Sequence, residues 1–229
     1  MAAEDLSDGF WLFGYGSLIW KPPPKYDQRL PGYIQGYVRR FWQSSEDHRG
    51  TPEAPGRVVT LIDFDHYSTL VDHHKSPADE KVWGAAYHIP AEDAAEMIEY
   101  LDIREQGGYS AQYTPFHVAG AVDSSAPRTL KCMVYIGLPE NPHFIGPQDP
   151  QALAEHILQS RGPSGENREY LFMLEEGLRE LNPQSDLTHI DMHVSDLVQR
   201  CLAVEAKGKS PAHGLEKVTS TDEQEEIER

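Results

Sequence analysis

Trp11-Leu12-Phe13-Gly14-Tyr15-Gly16-Ser17-Leu18-Ile19-Trp20 is an apolar, aromatic run broken by two glycines one residue apart. Trp11 to Phe13 read as a buried strand. Gly14 and Gly16 remove side chains where the backbone must turn or another group must come close. Ser17 adds a hydroxyl beside the turn. Two readings stand at this point: a strand running into a backbone-lined pocket for a small polar or anionic ligand, or a tight turn between two core segments.

Outward from that stretch the chain alternates between strand and loop, then becomes helical. Pro22, Pro23 and Pro24 exclude helix and central strand. Leu30 to Phe41 reads as one strand, with Arg39 and Arg40 able to bind carboxylates or to face solvent. Trp42 to Pro55 reads as polar loop, including Asp47-His48-Arg49. Arg57–Ile62 and Val82–Ile89 are β-branched or aromatic strand candidates, separated by an excursion, Asp63 to Lys81, expected to be a solvated surface loop. Ala94, Met97, Ile98 and Leu101 recur at helical spacing from Ala91, and Gly107-Gly108 stop that helix. Tyr109–Val118 and Leu130–Ile136 are further strands. Asp149-Pro150 open a helix, Asn167 is expected to cap the next, and Leu187 to Cys201 mark a last one. The class is α+β, with a curled mixed or antiparallel sheet, or a small barrel, flanked by helices. A Rossmann unit does not fit, because Gly14-Tyr15-Gly16 lacks the third glycine and prolines stand where its helix would begin.

The chain has 229 residues, enough for one substantial core, expected over residues 10–205 with flexible tails at 1–9 and 206–229. Its formal net charge of −17, from 20 Lys+Arg against 37 Asp+Glu, argues against nucleic-acid and membrane partners. Cys132 and Cys201 are two cysteines in apolar segments, not a disulfide framework, which suits a reducing compartment. No secretory signal or spanning run is read, so the expected location is cytoplasmic.

Glu105 continues the helix stripe by steps of three and four. A carboxylate there is either a frayed helix end, paired with Arg104, or a group held for proton transfer. Arg57 is a candidate carboxylate binder. His189 and His193 share one helical face but lack the glutamate of the metalloprotease pattern, and read as surface or packing histidines.

The ordered motifs Phe13-Gly14-Tyr15-Gly16-Ser17-Leu18-Ile19-Trp20, Arg40-Phe41-Trp42-Gln43-Ser44, Asp47-His48-Arg49-Gly50, Pro55-Gly56-Arg57-Val58, Tyr100 to Tyr109, Tyr135-Ile136-Gly137, Gly162-Pro163-Ser164-Gly165 and Glu169-Tyr170-Leu171 resemble the glutathione-specific gamma-glutamylcyclotransferases. This is the ChaC-like family, and the likeness is greater to its fungal branch. The resemblance implies a gamma-glutamylcyclotransferase-like fold and cleavage of reduced glutathione to 5-oxoproline and cysteinylglycine. It implies no metal, no cofactor and no obligate protein partner. It carries the catalytic glutamate onto Glu105, and substrate binding onto Phe13, Gly14, Tyr15, Gly16, Ser17, Leu18, Tyr109 and Tyr170, with Arg57 serving the substrate carboxylates or bracing a loop. Other γ-glutamyl amino acids or conjugates as substrates, and a non-catalytic γ-glutamyl-binding protein, are the alternatives.

Overall fold

The computed structural model describes residues 6–104, 109–119, 129–137, 140–181 and 191–208. The decisive strand is β1 (Phe10–Gly14), which runs into a short 3-10 turn at Ser17–Ile19. It is followed by β2 (Gln28–Ile34), β3 (Tyr37–Ser45), β4 (Gly56–Asp63), α1 (Phe64–Tyr67), β5 (Val82–Ile89), α2 (Ala91–Arg104), β6 (Tyr109–Val118) and β7 (Thr129–Gly137). The helical part comprises α3 (Pro150–Gln159), a two-residue hairpin of β8 (Arg161–Gly162) and β9 (Gly165–Glu166), α4 (Asn167–Leu181) and α5 (Met192–Gly208).

Strands β1, β5, β2, β6 and β7 close into a mixed barrel in that order. β1 pairs antiparallel with β5, Phe10 opposite Ile89 and Gly14 opposite Ala85. It pairs parallel with β7, Trp11 level with Cys132 and Leu12 with Met133. The α+β class with a small barrel is therefore the architecture. Strands β3 and β4 form a separate antiparallel pair with a register shift between Arg40 and Gln43.

α2 leaves β5 at the end of the barrel where β1 begins. Its fourteen residues carry the chain back by ~20 Å, and β6 then starts at Tyr109, opposite Gly137, the last residue of β7. Ala94, Met97 and Leu101 bury this helix against Phe10, Leu12, Ile89, Met133 and Tyr135. A larger core joins Phe13, Phe41, Val59 and Leu61 to Leu153, Ile157, Leu171, Leu174, Leu197 and Cys201 of the helices. Burial pushes both cysteine thiols up to about 12, so neither is a thiolate at neutral pH.

Several expectations need correction. Leu30 to Phe41 is two strands, because Gly36 adopts φ +83° and turns the chain between β2 and β3. The presumed loop from Trp42 begins as strand: β3 runs through Ser45, and Trp42 is fully buried. Arg39 and Arg40 do not face solvent; each is 1% exposed. The Asp63–Lys81 excursion is not merely solvated. It forms α1, and Arg40 holds it down, its Nε donating to Asp72 Oδ2 at 2.7 Å and its Nη2 to His74 O at 2.8 Å and Ser76 Oγ at 2.7 Å. Burial lowers the Arg40 pKa, but Asp72 and Asp191 outweigh that and leave it raised. Asp149 caps α3 as expected, accepting from Ala152 N. Asn167 does not cap α4: its side chain accepts from Arg57 N at 2.6 Å and donates to Arg57 O at 2.7 Å. α5 continues to Gly208, past Glu205, whose carboxylate is held by Arg168.

Of the two paired histidines, His189 lies outside the described residues, and His193 is a packing residue. Its Nε2 accepts from Phe41 N at 3.1 Å and ties α5 to β3. Burial, then Arg40, His74 and Arg39, hold its pKa well below the ordinary value. Burial also lowers that of His74. A histidine kept neutral in the native state gains a proton only on unfolding. Its contribution is therefore complete above the unfolded pKa and is lost as pH falls below it. Unfolding free energy by urea titration is expected to decline below about pH 6.5 with up to ~1.4 kcal/mol per pH unit from His193. The decline between about pH 6.5 and 5 should be shallower in His193→Gln; an unchanged slope would contradict this account.

Candidate active site

The parallel pairing of β1 with β7 sets the geometry. Carried forward from Leu12 and Met133, the register brings Gly14 level with Tyr135. Tyr15 Oη then donates to Tyr135 O at 2.9 Å and pins the glycine turn to the end of β7. Because Tyr109 opposes Gly137, the start of β6 lies at this same end of the barrel.

The turn is closed by its own backbone: Ile19 N donates to Gly16 O, and both Trp20 N and Lys21 N donate to Ser17 O. The ladder starts with the Ile19 amide, so the amides before it lie outside that ladder. The carbonyls at its far side are held from β5 and β2. Tyr87 Oη donates to Leu18 O at 2.6 Å, and Arg29 donates to Tyr87 Oη and Ile19 O. Phe13 and Tyr15 are buried and Leu18 is half-buried. A side chain at Gly14 would put its Cβ 2.6 Å from Leu18 Cβ. At Gly16 it would lie 2.9 Å from Tyr170 Oη and 3.0 Å from Val59 Cγ2. Close approach, rather than an unusual φ, requires these glycines.

Tyr170, on the buried face of α4, thus brings its hydroxyl to the glycine turn. Its ring is boxed by Trp20, edge-on at 5.2 Å, by Phe41, edge-on at 5.8 Å, and by the Arg49 guanidinium at 5.9 Å. Arg49 is itself buried and donates to Glu166 O, with Glu169 Oε2 at 3.3 Å. The polar triplet around it therefore divides: Asp47 and His48 are exposed, while Arg49 supports a predicted site residue. That role had no local signal, since a lone arginine in a polar run shows nothing of the aromatic ring it will meet. Val59 and Tyr135 were likewise not among the predicted site residues, though Tyr135 stands in a family motif.

Phe13, Gly14, Tyr15, Gly16, Ser17, Leu18 and Tyr170 are gathered in one place, and Tyr109 begins β6 at that end. Arg57 Nη1 donates to Pro55 O and Gly56 O, its Nε reaches Gln148 Oε1 at 3.3 Å, and burial lowers its pKa. Its side chain thus braces its own loop, while its backbone is tied to Asn167 at the start of α4. Glu105 lies outside the described residues, between Arg104 and Tyr109.

The Gly16–Tyr170 contact makes a prediction about stability. Gly16→Ala should cost ~1–3 kcal/mol by overpacking. Part of that cost should return in the double variant Gly16→Ala/Tyr170→Phe, because the hydroxyl is the nearest obstacle. Strict additivity in a urea-denaturation cycle would refute the contact.

The model of the ChaC-like protein family matches residues 10–203. The glutathione-specific gamma-glutamylcyclotransferase of Schizosaccharomyces pombe is 46% identical over 187 residues, covering 82% of this chain and 89% of that protein. That of Saccharomyces cerevisiae is 39% identical over 215 residues, covering 82% and 93%. A crystal structure of the yeast gamma-glutamyl cyclotransferase specific to glutathione superposes with a TM-score of 0.75 at 35% identity, over 90% of this chain and all of that one. With a family model spanning nearly the whole described fold and a matching barrel, this chain belongs to the ChaC-like family.

Proposed function

We propose that the chain is a glutathione-specific gamma-glutamylcyclotransferase, releasing 5-oxoproline and cysteinylglycine. The observation that carries this is the 46% identity over 187 residues with a relative of that specificity. The yeast structure at a TM-score of 0.75 adds to it. That identity to the fission-yeast protein also supports placing the chain with the fungal members.

The reaction is an internal transfer. The α-nitrogen of the glutamyl part forms a bond to the γ-carbonyl carbon, and the amide bond to cysteine breaks. The two protons that the α-ammonium loses in becoming the ring amide N–H are balanced by the two that the departing nitrogen gains in becoming the ammonium of cysteinylglycine. At neutral pH the α-ammonium must first give up a proton. In this reading Glu105 takes it and returns one to the departing nitrogen. Phe13 to Leu18 hold the γ-glutamyl group, with turn amides serving its α-carboxylate or the developing oxyanion. Tyr170 and Tyr109 flank it. Because nucleophile and electrophile share one molecule, much of the rate comes from folding the substrate into the reactive shape. Neither metal nor organic cofactor enters this scheme.

The rest of the reading is that the barrel and the helices packed on it act as one catalytic unit. It works in the cytoplasm and needs no nucleic acid, membrane or obligate protein partner. The net charge of −17 supports this. Among the described residues, no helix is long and apolar enough to cross a membrane.

Incubation with reduced glutathione, followed by chromatography of the products, should yield 5-oxoproline and cysteinylglycine in equal amounts. Glu105→Gln should lower turnover by about 10²–10⁴-fold while leaving the circular dichroism spectrum unchanged. Near-normal turnover in that variant would remove Glu105 from the mechanism.

A further inference from the structure

Pro22, Pro23 and Pro24 follow the glycine turn closely and leave its hydrogen bonding unfinished. In the 3-10 turn at Ser17–Ile19, Trp20 N and Lys21 N both donate to Ser17 O. Continuing the ladder would need Lys21 or Pro22 to supply Leu18 O, and Pro22 or Pro23 to supply Ile19 O. Lys21 N is already used, and proline has no N–H to give. Two carbonyls at the end of the turn therefore depend on donors from outside their own segment.

The barrel supplies both. Tyr87 stands on β5 opposite Leu12 of β1 and opposite Arg29 of β2, so the three residues form one row across the sheet. The Tyr87 hydroxyl donates to Leu18 O at 2.6 Å. Arg29 Nε donates to that hydroxyl at 3.2 Å, and its Nη2 donates to Ile19 O at 3.3 Å. The Tyr87 ring also meets the start of the turn: a Cβ on Gly14 would lie 3.4 Å from its Cε2. One buried side chain thus touches both the residue that opens the turn and a carbonyl that closes it. Tyr26 packs edge-on against the ring at 5.1 Å and limits its movement. Burial raises the Tyr87 pKa above the usual tyrosine value, so the hydroxyl keeps its proton at neutral pH. It donates to Leu18 O while accepting from a cation, and in such a chain each bond strengthens the other.

This contact differs in effect from the bond of Tyr15 to Tyr135 O, which fixes where the turn sits against β7. The Leu18–Ile19 peptide is held at both of its polar atoms: its oxygen by Tyr87, and its N–H by Gly16 O. A planar peptide gripped at both ends cannot rotate. The internal shape of the turn is set in this way.

We propose that Tyr87 is a positioning residue for the cyclotransferase reaction, acting through Leu18 with Arg29 as its anchor. The proposal rests on the cyclotransferase reading, in which Phe13 to Leu18 hold the γ-glutamyl group. Tyr87 acts on the substrate through the backbone it holds. That backbone is the surface against which the γ-glutamyl chain bends, and a small displacement there is costly because orientation supplies much of the rate.

The test uses the full chain and 5-oxoproline release from glutathione, read at a temperature where circular dichroism shows each variant fully folded. Tyr87→Phe keeps the ring against Gly14 and removes only the hydroxyl; its kcat/KM is expected to fall about tenfold. Tyr67→Phe is the comparison. It too loses a buried tyrosine hydroxyl, one bonded to Asp72 Oδ2 and His74 O. It should lower the thermal midpoint yet keep kcat/KM within about twofold of wild type. Arg29→Met should cost about threefold, and Arg29→Lys, which keeps a donor, should recover most of that. Because the two residues form one relay, the double variant Tyr87→Phe/Arg29→Met should lose clearly less than the product of the single losses. Should Tyr87→Phe not fold, the two variants of Arg29, an exposed position, carry the test. Unchanged kcat/KM in Tyr87→Phe or in Arg29→Met, an equal loss in Tyr67→Phe, or losses that multiply in the double variant would each overturn the assignment. Wild-type protein that releases no 5-oxoproline would instead fail the cyclotransferase reading, and the role of Tyr87 in that reaction with it.

Discussion

The parallel pairing of β1 with β7 is the constraint on which the rest of the molecule depends. Among the described strands of the barrel it is the only parallel contact. It closes the sheet on itself and removes the two edges that an open sheet would expose. It also makes the carboxyl ends of both strands finish side by side. The glycine turn after β1 therefore meets the end of β7 and the start of β6, and α2 is long enough to bring the chain back to that point. An antiparallel closure would have sent the turn to the opposite end of β7, away from Tyr109 and Gly137. The hydrogen bond from Tyr15 to Tyr135 O then fixes by geometry what the topology brought near.

The second layer fixes Tyr170, and it does so with polar groups inside the fold. Arg49, Arg57 and Asn167 join the β4 end, the hairpin of β8 and β9 and the start of α4. Arg57 and Asn167 do this through two reciprocal bonds to the Arg57 backbone. Arg39 and Arg40 do comparable work on the other side, binding Trp83 O and the Asp72–Ser76 segment. Such burial is a weak source of stability, because desolvation offsets most of the attraction. Its effect is on position. An apolar contact tolerates sliding, whereas a fork of directed bonds admits one arrangement. The density of these bonds around Tyr170 suits a site that must hold a hydroxyl within close contact of a glycine backbone.

How much of this was legible in the sequence depended on whether the governing contact was local. Val82–Ile89 and Tyr109–Val118 were readable to the residue, because β-branched and aromatic runs with clear turn neighbours decide strands locally. α2 was readable from its stripe, and the cap at Asp149 from the proline after it. The single strand expected from Leu30 to Phe41 failed at Gly36, where a positive φ outweighed the continuing aromatic pattern. The buried arginines failed for another reason: their partners, Asp72 and Trp83, stand more than thirty residues away. Asn167 was read by the rule for helix starts, yet a strand end on another layer captured its side chain. The glycine turn itself was legible as a place of close approach. Its neighbour Tyr170, 154 residues further along, was found through the family motif and not through any local pattern.

On the proposed function the turn, and not a charged cluster, carries the recognition. A γ-glutamyl group must be bent so that its own amine reaches its own carbonyl; the bare Gly14 and Gly16 let the turn pack directly against Leu18, Tyr170 and Val59. Backbone held from both sides, through Tyr15 to Tyr135 and through Tyr87 to Leu18, cannot rotate away as a lysine or arginine would. The substrate is thus given a rigid mould at the reacting end, where orientation sets the rate.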